Sequence, residues 1–169
     1  VWGPFSIVWG LAIAAVTQLL YRYKDRPASW LFVAGTLLGG AYEYLCSVFT
    51  EVVFGTVFWD YSAIPFNLGG RINLLYCFFW GFAAVAWFKV LYPPISAAIE
   101  KLPRRFGTVL TWALCVFMAA DMVVSSAALV RYNDRLNGVP AANSIGTYLD
   151  EHYDNDRMYK VYPKAVHTG

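Results

Sequence analysis

The apolar positions fall into long runs separated by short polar stretches. The first run, from about Phe5 to Tyr21, carries no charge and ends at Arg22, Lys24, Asp25 and Arg26, followed by Pro27. The second spans about Trp30 to Gly55, and the third runs from about Ile72 to Tyr92. The third is predicted to stop at Pro93-Pro94, because proline has no N–H to continue a helical ladder. The fourth covers about Phe106 to Val130, after which the chain turns polar. At ~1.5 Å per helical residue, runs of this length match the ~30 Å hydrocarbon core of a bilayer. The pattern predicts an all-α polytopic transmembrane helical bundle in the cell membrane, with about four spanning helices at 5–21, 30–55, 72–92 and 106–130. Residues 1–130 would form the bundle and 131–169 a polar C-terminal tail. In that tail Asn143-Ser144 can cap a short amphipathic helix carrying Ile145, Tyr148, Leu149, His152 and Tyr153 on one face. It is predicted to lie on the membrane surface or against the bundle. Asn137-Gly138-Val139-Pro140 before it reads as a turn.

Composition agrees: 59% of the 169 residues are hydrophobic and only 14% charged, against about 25% charged in soluble domains. A net charge of +2 without a basic stripe excludes a nucleic-acid partner. Cys46, Cys77 and Cys115 sit within apolar runs, and His152 and His167 lie far from them, so neither a disulfide framework nor a metal site is predicted. No cofactor is expected. The chain opens Val1-Trp2-Gly3-Pro4 without Met, so an internal start is expected, with further sequence upstream. Arg22, Lys24 and Arg26 after the first run, with Lys89, Lys101, Arg104 and Arg105 around the third-to-fourth connection, place those two loops in the cytoplasm. The loop Trp59–Gly70 then lies outside; Arg131 and Arg135, directly after the fourth run, pull the other way.

The polar residues inside the apolar runs carry the chemistry. In the second run Gly35, Gly39, Glu43, Ser47 and Glu51 recur every four residues, forming one stripe on a helix. Small residues allow another helix to approach, and a carboxyl at membrane depth faces the bundle interior or a wet cavity. Glu43 and Glu51 either line a path or pocket, or act as interhelical glue, protonated or paired with Arg71; Tyr42 and Tyr44 flank Glu43 as potential donors. Asp121, with Ser125 one turn on, is the next candidate, either with a raised pKa through desolvation or as a structural hydrogen-bonding group. Ser6, Gly10, Ala14 and Gln18 of the first run form a matching small-polar stripe. In the loop, Asp60 and Arg71 can clamp the two ends together. Gly69-Gly70 before the third run can present free N–H groups that, beside Arg71, suit an anion such as a lipid phosphate. Tyr61, Asn67, Gly70 and Asn73 complete the candidate set. No GxSxG, HExxH or GxxxxGK[ST] pattern occurs, so the chain offers no known nucleophile and does not itself hydrolyse ATP.

The segment Trp59-Asp60-Tyr61-Ser62, continued by Pro65-Phe66-Asn67-Leu68-Gly69-Gly70-Arg71-Ile72-Asn73-Leu74, resembles the CmpB-like ABC-transporter type IV membrane proteins of bacteria, with the transmembrane protein 229 group as eukaryotic relatives. The resemblance extends to Glu43-Tyr44, to the opening Gly3-Pro4, and to Gly138-Val139-Pro140 with Asn143. It implies a small polytopic membrane protein with one further helix before Gly3-Pro4, and it brings no established catalytic residue. The leading expectation is a permease-like component that binds or moves a small or lipid-like solute. Its polar site would use Glu43, Asp60, Asn67 and Arg71. A separate ATP-binding subunit would then dock on Pro94–Arg105, where Ile95, Ala98, Ile99 and Leu102 share a face, unless that stretch is an ordinary interfacial helix. Membrane lipids are expected partners, and a homo-oligomer is left open. Two other classes stand beside it: an intramembrane lipid-modifying enzyme with Glu43 or Asp60 as general base, and a non-catalytic membrane adaptor or assembly protein.

Overall fold

The computed structural model describes residues 1–3 and 6–163, and the backbone of 166–167. Among the described residues the fold is all-α apart from four two-residue strands. Its helices are α1 (Ile7–Leu20), α2 (Ala28–Phe54), α3 (Leu74–Ala86), α4 (Tyr92–Glu100), α5 (Arg104–Leu136), α6 (Ser144–His152) and α7 (Asn155–Val161). The strands are β1 (Thr56–Val57), β2 (Asn67–Leu68), β3 (Ile72–Asn73) and β4 (Val166–His167). Among the described residues three helices, not four, are long and apolar enough to cross a membrane: Ala28–Phe54, Leu74–Glu100 and Arg104–Leu136. This is the pattern of a multi-pass membrane protein. The first apolar run yields the shorter helix Ile7–Tyr23. Ser6 caps it by accepting from the Trp9 N–H at 3.3 Å, and its end tightens into a 3-10 turn at Tyr21–Tyr23 before the charged stretch. The fourteen residues of α1 cover only about 21 Å.

Pro93-Pro94 does not end the third run. A π-helical turn at Trp87–Leu91 shifts the hydrogen-bond ladder by one residue, and the Tyr92 N–H donates to Trp87 O. The two prolines then follow Tyr92 in the first turn of α4, where a missing N–H costs little. The fourth run is also longer than its apolar part. Helix α5 continues to Leu136, placing Arg131 and Arg135 on the helix.

The chain divides into two compact units. The first comprises Ser6–Ser47 and Asp60–Trp112. Here α2 and α3 approach closely through small residues. A Cβ added at Gly35 would collide with Ala84, one at Gly39 with Trp80, and one at Gly81 with Thr36 and Phe32. Phe32 packs on Phe78 and Phe82, with ring centroids 5.9 and 4.9 Å apart. Leu20, Leu31 and Phe88 form the buried cluster. Helix α1 is tied in by Trp87 Nε1, which donates to Thr17 Oγ1 at 2.8 Å, and by the Tyr42 hydroxyl, which donates to Val8 O at 2.6 Å. The expected stripe on α1 faces the wrong way: Ser6, Gly10, Ala14 and Gln18 are all exposed, while Ala12 and Leu20 are buried. Spacing identifies residues that share a face, but in an apolar helix it does not say which face packs.

The second unit comprises Val1–Phe5, Val48–Trp59 and Ala113–Gly169. Its core is Ala128, Leu129 and Tyr132 of α5 with Leu149, Tyr153 and Met158 of the tail. Helix α5 ends in a Schellman cap. The Val139 N–H donates to Asp134 O, the Gly138 N–H donates to Arg135 O, and Gly138 takes φ +73°, a conformation glycine adopts without penalty. Asn143 caps α6 by accepting from the Gly146 N–H at 2.8 Å. Of the face expected on α6, Leu149 and Tyr153 are buried, whereas Ile145, Tyr148 and His152 are exposed. A second tail helix, α7, was not foreseen; Asp154 caps it, accepting from Arg157 N–H at 2.8 Å. Strand β4 pairs antiparallel with β1, Thr56 opposite His167.

Candidate functional site

The stripe on α2 brings Gly35, Gly39, Glu43 and Ser47 into the buried interior of the first unit. Glu43 is 8% exposed, and both its oxygens are engaged. The Tyr61 hydroxyl donates to Oε1 at 2.7 Å, and Trp80 Nε1 donates to Oε2 at 3.2 Å. Both donors are neutral, and among the described residues no cation pairs with this carboxyl. Tyr42 and Tyr44 are not the donors: Tyr42 bonds to Val8 O and Tyr44 is exposed. The partners come instead from the loop and from the middle of α3. Tyr61 stacks on Tyr76 at 4.7 Å and Trp80 packs on Trp9 at 4.8 Å, so both donors are braced by other rings. Burial, then the bond to Glu43, pushes the Tyr61 phenol above its ordinary range. One turn beyond Glu43, Arg71 Nη1 donates to Ser47 Oγ at 3.2 Å.

The remaining loop candidates build the loop itself. Asp60 Oδ1 accepts from the Ser62 hydroxyl at 2.6 Å and from the Ser62 N–H at 2.8 Å. These two bonds hold its carboxyl below the usual carboxylate range. Asn67 donates to Ile64 O at 2.7 Å and accepts from the Gly70 N–H at 3.0 Å. Asn73 donates to Pro65 O at 2.7 Å and caps α3 through the Leu75 N–H at 2.9 Å. The N–H groups of Gly70 and Arg71 are thus not presented to an anion. The first donates to Asn67 and the second to Leu68 O, inside the β2–β3 hairpin, and α3 begins only at Leu74. The two ends of the loop are joined by the Tyr61 N–H donating to Gly70 O at 2.8 Å.

Gly70 is the position on which the loop turns. Its φ is +68°, and an added Cβ would run into Asp60 Oδ1 and Ser62 Oγ. Gly70→Ala is expected to destabilise the protein by about 1–3 kcal/mol, the usual cost of forcing a side chain into such backbone. Thermal unfolding in detergent measures it, and an unchanged melting curve would contradict this account of the loop.

Glu51 and Asp121 belong to the second unit. Asp121 is buried. Its Oδ1 accepts from the backbone nitrogens of Val1 at 3.1 Å and Trp2 at 2.9 Å, with Ser125 Oγ at 3.5 Å. Nearby, burial raises the pKa of Tyr162. Trp80 is the functional candidate that sequence reasoning overlooked. Its available signal was its place in the middle of an apolar run, away from the interfacial level where tryptophan usually sits. Among the described residues no group of three or more His, Cys, Asp or Glu side chains is placed to hold a metal ion.

Spanning-length helices packed through small residues around a buried, hydrogen-bonded carboxyl define a polytopic helical membrane protein. Residues 1–126 match the family described as "Putative ABC-transporter type IV", and the chain belongs to that family. The match ends within α5, before the tail helices. No curated protein and no solved structure matches the chain.

Proposed function

We propose that the chain is the membrane-embedded, permease-like component of an ABC-type transport system, and that Glu43 is the polar anchor for a small or lipid-like solute. The observation that carries this reading is the Glu43 carboxyl itself, buried within an apolar helical unit and held by the neutral donors Tyr61 and Trp80. Placing such a group at membrane depth is costly, so it is a functional candidate by default. Each carboxylate oxygen keeps a lone pair after accepting from Tyr61 or Trp80. A cationic or hydroxyl-bearing group of a solute would find its partner there. Tyr61 rides on a loop, so loss of its bond to Glu43 is the step that would open the site. ATP hydrolysis would come from a separate chain, docked on the exposed Ile95, Ile99 and Leu102 of the α4 region.

The test is purification of the full-length protein from native membranes in a gentle detergent, with mass spectrometry and an ATPase assay of the complex. A stoichiometric nucleotide-binding chain is expected. Total native lipid extract should stimulate its ATPase in the wild type, and Glu43→Gln should reduce that stimulation by about tenfold, the loss of one charge-assisted hydrogen bond. Recovery without any ATPase would overturn the permease role. A second reading, a non-catalytic membrane adaptor, is favoured by the engagement of both Glu43 oxygens and by the consumption of Gly35 and Gly39 in helix contact. It expects Glu43→Gln to change stability and leave the ATPase untouched.

A further inference from the structure

A second polar site lies in the first unit, away from Glu43. The connection after α1, the π-helical turn and α4 border an open cavity of about 430 Å³ whose polar wall is Lys24, Asp25, Lys89, Tyr92, Ser96 and Glu100. Its charges are only half spent. Lys24 Nζ donates to Asp25 Oδ2 at 2.9 Å, a neutral pair. Lys89 Nζ donates to a backbone carbonyl, Lys24 O, at 2.9 Å, and Glu100 Oε1 accepts from the Ser96 hydroxyl at 3.2 Å. Among the described residues neither Lys89 nor Glu100 has an oppositely charged side-chain partner, and they do not pair with each other. A ligand with a single negative charge would meet Lys89 and leave Glu100 facing it. A ligand carrying both charges satisfies both.

The rings around this cavity indicate its level in the membrane. Tyr92 packs on Tyr21 at 5.9 Å and on Trp87 at 5.8 Å, and Tyr23 packs on Trp30 at 4.9 Å. The Lys24 ammonium stands 5.6 Å from the centroid of the Tyr21 ring. Tyrosine and tryptophan gathered at one end of spanning helices sit at the headgroup layer. The exposed Val90 and Leu91 of the π-helical turn offer apolar surface beside it. The π-helical turn contributes Phe88 and Lys89 to the cavity's lining.

We propose that this cavity binds the zwitterionic phosphodiester headgroup of a membrane lipid, with the phosphate at Lys89 and the head amine at Glu100. The lipid, not a soluble phosphodiester, is the ligand. The full chain would be reconstituted in nanodiscs of equal parts phosphatidylethanolamine and phosphatidylglycerol, then extracted and weighed by native mass spectrometry. The wild type should retain phosphatidylethanolamine over phosphatidylglycerol by about fivefold or more, as expected for one additional charge-assisted contact. Lys89→Gln should lower retention of both lipids, Lys89→Arg should keep it, and Glu100→Gln should erase the preference. Both residues changed, Lys89 and Glu100, are exposed, and circular dichroism melting confirms that each variant is folded. Equal retention of the two lipids by the wild type, or retention and preference unchanged by Lys89→Gln and Glu100→Gln, would overturn the proposal. Displacement of the bound lipid by millimolar glycerophosphoethanolamine would overturn the assignment to a lipid; failure to displace it supports that assignment.

Discussion

Gly39→Val is expected to yield little or no monodisperse protein, the largest loss of any single substitution in the first unit. A Cβ at Gly39 would lie inside the van der Waals radii of Trp80 Cβ and Cγ. Those atoms are attached to the α3 backbone, so no flexible side-chain end can yield. Relief requires α2 and α3 to separate, which opens the contacts at Gly35 and Gly81 as well. Inserting carbon into a packed interior typically costs about 1–3 kcal/mol, and a clash with a ring fixed at its root belongs at or above the top of that range. The same displacement carries Trp80 Nε1 away from Glu43, to which it donates at 3.2 Å, so the site suffers with the packing. Size-exclusion profiles and melting curves in detergent measure the effect. Because the two residues are in contact, their effects are coupled. Gly39→Val combined with Trp80→Gly, which removes Cβ as well as the ring, should recover part of the lost folding. A double variant no better than Gly39→Val alone would show that the Trp80 side chain is not what the glycine accommodates.

The second large effect concerns the tail. The Arg131 guanidinium, 7% exposed, donates to both oxygens of Asp150 at 2.9 Å and to Val139 O at 2.8 Å. Arg135 donates to Asp150 Oδ1, to Tyr153 O at 2.7 Å and to Asn155 Oδ1 at 2.8 Å. One carboxylate therefore fastens α6 to two arginines one turn apart on α5. Asp150→Asn removes the charge that both arginines use, and proteolysis of the tail is expected to accelerate by at least about tenfold, given the usual strength of bonds to charged groups. Acid should do the same reversibly. Arg131 first, then Arg135, hold the Asp150 carboxyl below its ordinary value. A group with a depressed native pKa stabilises the fold fully above its unfolded value, about pH 4, and loses that contribution as pH falls through the lower native value. Tail protection should be flat from neutral pH down to about 4 and fall below it. In Asp150→Asn that acid step should disappear; a step of the same size in the variant would assign it to another group.

The sequence was most legible where a feature is local and periodic. The four-residue recurrence from Gly35 to Ser47 placed those residues on one face, and in the structure that face is buried. The Asn143 cap and the turn at Gly138 were read from short-range chemistry and stand where expected. What depends on three dimensions was not readable. The donors to Glu43 are Tyr61 and Trp80, while the sequence offered the adjacent Tyr42 and Tyr44. The stripe on α1 was misassigned because, in a helix apolar on every side, small residues do not reveal the direction of packing. Pro93-Pro94 looked like an end because a helix was assumed to keep one ladder; the π-helical turn changes ladders just before them. Asp60, Asn67 and Asn73, polar residues in a dense loop, suggested a binding site; that they also bond to Ser62, Gly70 and Pro65 and so frame the loop depends on side-chain orientation, which spacing does not reveal.

The second unit draws on the first residues of the chain, on Val48–Trp59 and on everything after Ala113, so its assembly has an order in time. Trp2 Nε1 meets the Tyr153 hydroxyl across 151 positions of sequence, and Asn133 reaches back to Phe54 O and Thr56. Segments that pair across such distances wait until the later one has been made. During synthesis the first unit has all its parts once Trp112 has emerged, while the end of α2 still lacks the partners that close it. A chain stalled just beyond that point leaves the Phe54–Thr56 end uncovered, because Asn133, which bonds it, has yet to be made.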